Sequence, residues 1–465
     1  MAICRLILVI SCICTGCAVK LPPVAPDDAD GGRTLRLLAF DPAEAGALTH
    51  ALVAAPPIAE HAIPKLAEPG CHPVPLDATG GAPLSAAEVV AAWEAGLRDD
   101  DGPHGWLLQP VVGATEVSLG VADRVAGLET DGDALVVCIE QATPDWPSRL
   151  QHPALWPVVG DPGTSGARGG GAFRWSDDGR GLERATAEPR RNRVRRIVLD
   201  SASIDDDLAA SATGAFDLAF SWGRAAGRLL AGRDERLRLQ RIPRWDTVYA
   251  LWLVADRRWT NDPSFRRWVS TGLDRESMAS YLYGEQAEAA YGLTDQDGET
   301  PETVRRPFSA ASSPRLTLVF DEADAHAANL AARVKAVLEQ ENVDLRLEPC
   351  AGGDVRRALD EGRSQMVLLA HRPRVDDPVL AMLDTLWPLR AAAFEETRRL
   401  VRATRIGDPA RRRERAAEIE AAMLGDARLV PLVRLHAWLA RNTALSRVEV
   451  GARGVVRLDR AEWVR

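Results

Sequence analysis

Between residues 316 and 370 the chain switches repeatedly between two hydrophobic periods. Leu316 to Phe320 is a short apolar run. Leu330, Val334, Val337 and Leu338 then recur at helical spacing, and Val343 to Leu347 and Met366 to Ala370 are two further runs. A strand that pairs in parallel with an earlier one needs a long crossover, usually a helix, so this rhythm points to α/β units with crossover connections. Upstream, residues 248–254 read VYALWLV, an apolar run without a polar face, as expected for a strand covered on both sides. Thr34 to Phe40, closed by Asp41-Pro42, reads as a first strand. Ala134 to Ile139, after the turn Asp131-Gly132-Asp133, and Val194 to Leu199 read as others.

Helix signals are local. Ser85 can cap the free N–H groups of a helix, Glu88 completes a capping box, and Val89, Val90, Trp93 and Leu97 form an apolar stripe. A second helix starts at Asp262-Pro263, with Pro in its first turn. A third, over about 407–424, carries an Arg and Glu run that reads as a solvated face. Residues 160–183 are Gly-rich and loop-like, and Gly169-Gly170-Gly171 is not followed by the Lys-Ser/Thr of a phosphate loop. Residues 295–314 read as a polar excursion.

The chain has 465 residues, room for about three domains. A net charge of −9 gives it no electrostatic reason to bind nucleic acid. Thirteen Trp against four Tyr suit large cores and, at some positions, stacking surfaces in a pocket. Arg5 followed by the apolar run Leu6 to Cys14 reads as a targeting segment too short to span a bilayer. It ends in Thr15-Gly16-Cys17, which looks like a bacterial lipoprotein processing site that would leave Cys17 lipidated. Val9-Ile10-Ser11-Cys12 is a competing site with a shorter apolar run, and an ordinary signal peptide is the alternative to both. Residues 17–33 then read as a tether. Beyond Cys17 the cysteines are Cys71, Cys138 and Cys350. Cys71 with Cys138 is the expected disulfide, both falling in one expected subdomain, and no spacing among the cysteines indicates a metal site or cofactor.

Residues 81–117, GAPLSAAEVVAAWEAGLRDDDGPHGWLLQPVVGATEV, resemble a recurring segment of the family 5 extracellular solute-binding proteins, the receptors of peptide-type and nickel-type ABC importers. Four further segments resemble the same family in the same order. They are 131–150 (DGDALVVCIEQATPDWPSRL), 248–278 (VYALWLVADRRWTNDPSFRRWVSTGLDRESM), 315–387 ending in VDDPVLAMLDTLW, and 428–438 (RLVPLVRLHAW). The resemblance implies a two-lobed, periplasmic-binding-protein-like α/β clamshell with discontinuous lobes and mixed sheets. Lobe I would comprise 34–45, 155–247 and 436–465, with 46–154 as a small accessory subdomain of it. Lobe II would comprise 248–435, and 1–16 would be the signal peptide.

The resemblance also implies a function. Such a chain is a substrate-binding lipoprotein at the periplasmic or cell surface. It works as a monomer, touches the membrane through its lipid alone, and delivers a small polar solute, peptide-like or anionic, to an inner-membrane ABC permease. The expected ligand-binding residues are Trp222, Trp245, Trp252 and Trp387 as stacking surfaces, Tyr249 as a hydrogen-bonding group, and Arg374 with Asp376. The chain departs from the family in a compressed region before residue 80, in Val254 where Asn is common, and at Arg374. The peptide receptors carry an acidic residue four positions before the Pro of this motif, here Pro378, to grip a peptide amine. An Arg there repels an ammonium group and suits an anion held through two hydrogen bonds. A receptor-derived lipoprotein that has lost transport and serves as a structural or signalling partner is the alternative. A hydrolase is disfavoured, since Gly163-Thr164-Ser165-Gly166 lacks the nucleophile-elbow spacing and there is no His-Glu-x-x-His.

Overall fold

The computed structural model describes residues 33–39, 52–54, 67–76, 84–99, 102–160, 167–177, 181–185, 193–201, 216–222, 237–242, 245–254, 259–294, 313–351, 354–450, 456–458 and 460–464. The expected processing site at Cys17 lies outside them. No described helix is long and apolar enough to cross a membrane.

Strand β1 (Arg33–Ala39) comes first, and a small unit follows. It comprises β2 (Gly70–Val74), α1 (Ala86–Leu97), α2 (His104–Leu107), α3 (Ala114–Ser118), β3 (Leu128–Asp131), β4 (Ala134–Ile139) and α4 (Trp146–Leu150). The chain then lays down β5 (Phe173–Trp175), β6 (Gly181–Arg184), β7 (Val194–Ser201), β8 (Leu218–Trp222) and β9 (Leu237–Arg241). The second large body runs through β10 (Thr247–Leu253), α5 (Pro263–Gly272), α6 (Arg275–Tyr283), β11 (Ala287–Ala289), β12 (Arg315–Asp321), α7 (Ala325–Gln340) and β13 (Asp344–Cys350). It continues through α8 (Asp354–Asp360), β14 (Met366–His371), α9 (Pro378–Leu386), α10 (Phe394–Ala403), α11 (Pro409–Gly425) and β15 (Leu429–Leu435), and β16 (Ala437–Asn442) closes the path.

These strands form two large mixed sheets. One has the order β9-β16-β8-β1-β7-β6-β5, the other β11-β15-β10-β14-β12-β13. In the first, β1 is parallel to both β7 and β8; in the second, β12 is parallel to both β13 and β14. The chain passes between the bodies twice, from β9 to β10 and, through the single residue His436, from β15 to β16. This is the two-lobed clamshell architecture expected from the sequence. The expected strands at the 134, 194, 248, 316, 343 and 366 positions are all present within a few residues of the expected ends.

Strand β10 shows why the sheets sit where they do. Every one of its residues is buried, and successive side chains enter different cores. Val248, Ala250 and Trp252 point into the layer that holds α9, α10 and α11, whereas Tyr249, Leu251 and Leu253 point into the layer that holds α5, α6 and α7. The period-2 alternation of a strand thus divides one apolar run between two hydrophobic layers.

The capping box at the start of α1 is complete. The Ser85 side chain accepts from the Glu88 N–H and the Glu88 carboxylate accepts from the Ser85 N–H, while Ala86, Val89, Trp93 and Leu97 face the core. Two sequence expectations need correction. Within the Gly-rich 160–183 stretch, β5 and β6 extend the seven-stranded sheet at its edge. On α11 the charge run is not wholly solvated, because Arg412 and Glu420 are buried. Arg412 Nε donates to Asp377 Oδ2 at 2.7 Å, and Asp377 Oδ1 caps α9 by accepting from Val379 and Leu380. One carboxylate therefore starts one helix and pins another.

Cys71 and Cys138 are direct cross-strand partners on β2 and β4 and form a disulfide, while Cys350 is free and buried. The bond closes a loop with a sequence separation of 67. On chain-entropy grounds a loop of that size stabilises by up to about 4 kcal/mol. A Cys71→Ser, Cys138→Ser double variant is expected to lose about 2–4 kcal/mol in urea unfolding.

Candidate functional site

Both large sheets turn the carboxyl ends of their parallel strands toward the connections between them. In the first sheet Trp222, the last residue of β8, pairs with Ala437, the first residue of β16. In the second, His371, the last residue of β14, pairs with Val248, and Thr247 beside it pairs with Leu435, the last residue of β15. In α/β sheets, ligands bind outside the carboxyl ends of the strands where the connections diverge to opposite sides. Such a switch point lies beside β12, whose chain leaves through α7 to β13 on one side while β14 pairs on the other. The segments that line it are Asp321 to Asp324, at the end of β12, and His371 to Arg374, at the end of β14.

The second-sheet rim is electrostatically built. Tyr249 is fully buried, its hydroxyl donates to Asp324 at 2.8 Å, and Arg372 donates to both Tyr249 Oη and Asp324 Oδ2 at 3.1 and 2.9 Å. The Asp324 carboxylate also accepts from the His326 and Ala327 N–H groups at the start of α7. Burial, then the charge of Asp324, pushes the Tyr249 phenol well above its usual value. Burial also pulls His326 below the usual imidazole range, against the pull of Asp324. The result is a fixed cation, Arg372, braced from beneath. Two residues on, Arg374 is half exposed (51%) and touches only loosely, with Nε 3.8 Å from Asp384 Oδ2.

The hinge carries its own pair. His436 Nδ1 lies 3.3 Å from Asp246 Oδ2, and Arg241 donates to the same oxygen at 2.9 Å. Burial alone would raise the Asp246 carboxyl. The contacts from His436 and Arg241 outweigh it and hold the group below the usual carboxylate range.

The expected site residues divide. Trp222 ends β8 at the hinge, and Trp245 lies in the connection to β10, edge-on to Phe220 with centroids 5.2 Å apart. Arg374 and the exposed Asp376 follow β14 on the same rim. Tyr249 also lies on this edge, but its hydroxyl is committed to Asp324 and it offers no surface. Trp252 is a correction to the sequence reading. It pairs with Val367 toward the far end of β14 and is wholly buried among the core of the second body, so it presents no face for stacking. Trp387 lies beyond α9, beneath the Arg390 guanidinium (5.1 Å) and against Gly105 of the small unit. Asp377, beside Asp376, is already spent on Arg412 and the α9 cap. Arg372, Asp324, Asp246 and His436 were missed in the sequence. The available signal was charge abutting an apolar run, as in Met366 to Arg372. Among the described residues no group of three or more His, Cys, Asp or Glu is placed to hold a metal ion.

The fold that this arrangement defines is the two-lobed, periplasmic-binding-protein-like clamshell, and solved structures carry it over nearly the whole chain. The murein tripeptide binding protein MppA of Escherichia coli superposes with a TM-score of 0.71 at 14% identity, covering 93% of this chain and 99% of that one. NikA from Staphylococcus aureus, solved in complex with Ni(L-His)2, gives 0.68 at 12% identity, covering 93% and 100%. The ABC transporter-associated periplasmic binding protein DppA from Helicobacter pylori, in complex with peptide STSA, gives 0.68 at 12% identity, covering 93% and 98%. No family model and no curated protein matches the chain.

Two outcomes follow from the rim. Tyr249→Phe deprives a buried carboxylate of one donor and is expected to cost about 1–3 kcal/mol in denaturant unfolding. Asp246 is held below its unfolded value of about 3.9. Its contribution is therefore complete above that pH and is lost as pH falls through the lower folded value. The stability gap between wild type and Asp246→Asn should thus be present above about pH 4 and vanish in stronger acid.

Proposed function

We propose that this chain is a divergent family 5 solute-binding protein. It is a lipoprotein anchored through Cys17 on the periplasmic or cell-surface side, and it captures a small polar solute between its lobes for an ABC permease. The observation that carries this reading is the facing of two carboxyl strand edges across a two-stranded hinge, with charged side chains on the rim and the overall fold of receptors for peptides and metal complexes. Binding in such a cleft needs fixed polar groups and an apolar or aromatic lining, not reacting groups.

The rim chemistry favours an acidic guest. Arg374 stands where the family's amine-gripping carboxylate would be, and Asp377 cannot replace that carboxylate because Arg412 and the α9 cap hold it. Arg372, braced by Asp324 and Tyr249, adds a second guanidinium on the same strand exit. A carboxylate or phosphate between them would be held by charge-assisted hydrogen bonds. Trp222 and Trp245 flank the hinge and would supply the stacking surface, with Asp376 at the rim.

Native mass spectrometry of gently purified protein should show one small acidic compound travelling with the wild type. Arg374→Ala should weaken its binding about 30-fold to several-thousand-fold, the usual loss for a desolvated charge partner. Retention of a free-amine peptide instead, insensitive to Arg374, would overturn the anionic assignment. Mass analysis of the mature N-terminus should find Cys17 carrying lipid.

A further inference from the structure

The small unit that follows β1 is joined by its chain ends to the seven-stranded sheet, yet its apolar core runs on into the other body. Trp106, Leu107 and Val117 belong to the same buried cluster as Val379, Leu380 and Leu383 of α9. At this contact a Cβ on residue 105 would come within 3.1 Å of the Trp387 ring, so any side chain there would require the ring to give way by a few tenths of an ångström. Beside it, His152 Nε2 lies 3.2 Å from Asp384 Oδ1, with the His side chain wholly buried and the Asp nearly so.

The His is rigidly mounted. Its Nδ1 accepts the Ala154 N–H at 3.1 Å, which leaves the ring proton on Nε2, the nitrogen nearer Asp384. Its ring meets Trp106 edge-on at 5.7 Å, and the Trp106 carbonyl is itself held by Arg149, which is paired with Asp145 at 2.8 Å. Asp384 is the sole charged residue on α9. Burial alone would raise its carboxyl. His152 and Arg374, and more weakly His371, outweigh that effect and hold it below the usual carboxylate range, so it faces the imidazole as an anion.

We propose that His152 and Asp384 are a latch that fastens the small unit onto α9, so that the two lobes are tied at a second point besides the hinge and rest closed without a guest. Two bodies joined only by two neighbouring strands can swing about them; a third attachment, away from the hinge, removes that freedom. Opening then requires the separation of the buried His152–Asp384 pair together with the Gly105–Trp387 contact. It also takes the imidazole away from Asp384 and leaves it only the looser contact with Arg374.

Hydrogen exchange read by mass spectrometry tests this on the full chain in detergent, freed of small molecules by dialysis and checked by native mass spectrometry. In the wild type, amides of 146–155 and of 378–389 should both be strongly protected. Asp384→Asn should raise exchange about a hundredfold in both segments, including 146–155, which lies on the opposite side of the contact. Amides of β12 and β13 should be unchanged. Gly105→Leu, a wedge that leaves both ionisable groups in place, should do the same. Fast exchange of either segment in the wild type, or an effect confined to the substituted side, would overturn the latch. If Asp384→Asn loses protection throughout, the wedge variant decides alone.

Discussion

A strand with no polar face has only one stable place in a molecule of this size, between two hydrophobic layers. Strand β10 is that strand, and the rest of the architecture is arranged around it. Its even-numbered residues supply one core and its odd-numbered residues the other, so neither helical layer of the second body can move without exposing side chains worth about 1.5–3 kcal/mol each. Because β10 begins at the hinge, its placement also fixes the hinge. Thr247 is paired with Leu435, and one residue beyond Leu435 the chain is already in the first sheet. Packing of a single strand therefore sets where the two carboxyl edges meet.

Buried charge marks the joints between elements. Each buried ion in the second body is shared by two or more segments. Asp377 serves α9 and α11, and Asp324 serves β10, β14 and α7. Glu420 on α11 accepts from the backbone of Leu293 and from the Thr294 hydroxyl, and Arg275 donates to the Pro431 carbonyl of β15. Such pairs add little net stability over a hydrophobic substitute, but losing one partner is expensive. Their effect here is to make particular neighbours obligatory. An apolar contact would tolerate a helix sliding by a turn; the fork of Arg412 between Asp377 and the Ile406 carbonyl would not.

The sequence was most legible where a segment's own residues settle its structure. The capping box at Ser85, the cap at Asp262 and the apolar run of β10 all lie within a few positions of the structure they specify. The edge strands were less legible. Residues 237–241, LRLQR, are half solvated, and 173–184 is interrupted by Gly, so neither shows the apolar periodicity of a buried strand. The helix that begins at Asp262 ends at Gly272, and Asp274 caps a new one by accepting from Ser277. At the rim, Tyr249 and Trp252 looked alike as aromatics in one apolar run. Position along the strand separates them: one lies at the hinge edge and the other at the far edge. The partners that occupy Tyr249 are Asp324 and Arg372, far away in the chain, and no spacing rule reaches them. Charge in an apolar setting was the readable trace, as with Asp384 in PVLAMLDTL.

Two attachments between the lobes change what a guest has to do. In a clamshell hinged at one edge, the guest's contacts with both lobes supply the free energy of closure, and part of its intrinsic affinity is consumed in doing so. Where the closed state is already favoured by a latch, that cost is absent for the bound state and reappears as a barrier to entry. Affinity rises in proportion to the fraction already closed, and association slows because only the rare open form admits a guest. The pairs at the two attachments depend on acid in the same sense, since Asp246 at the hinge and Asp384 at the latch are both held ionised by cationic or imidazole partners. Both carboxyls are held below the usual carboxylate range, so at the hinge and at the proposed latch alike it is strong acid that protonates them.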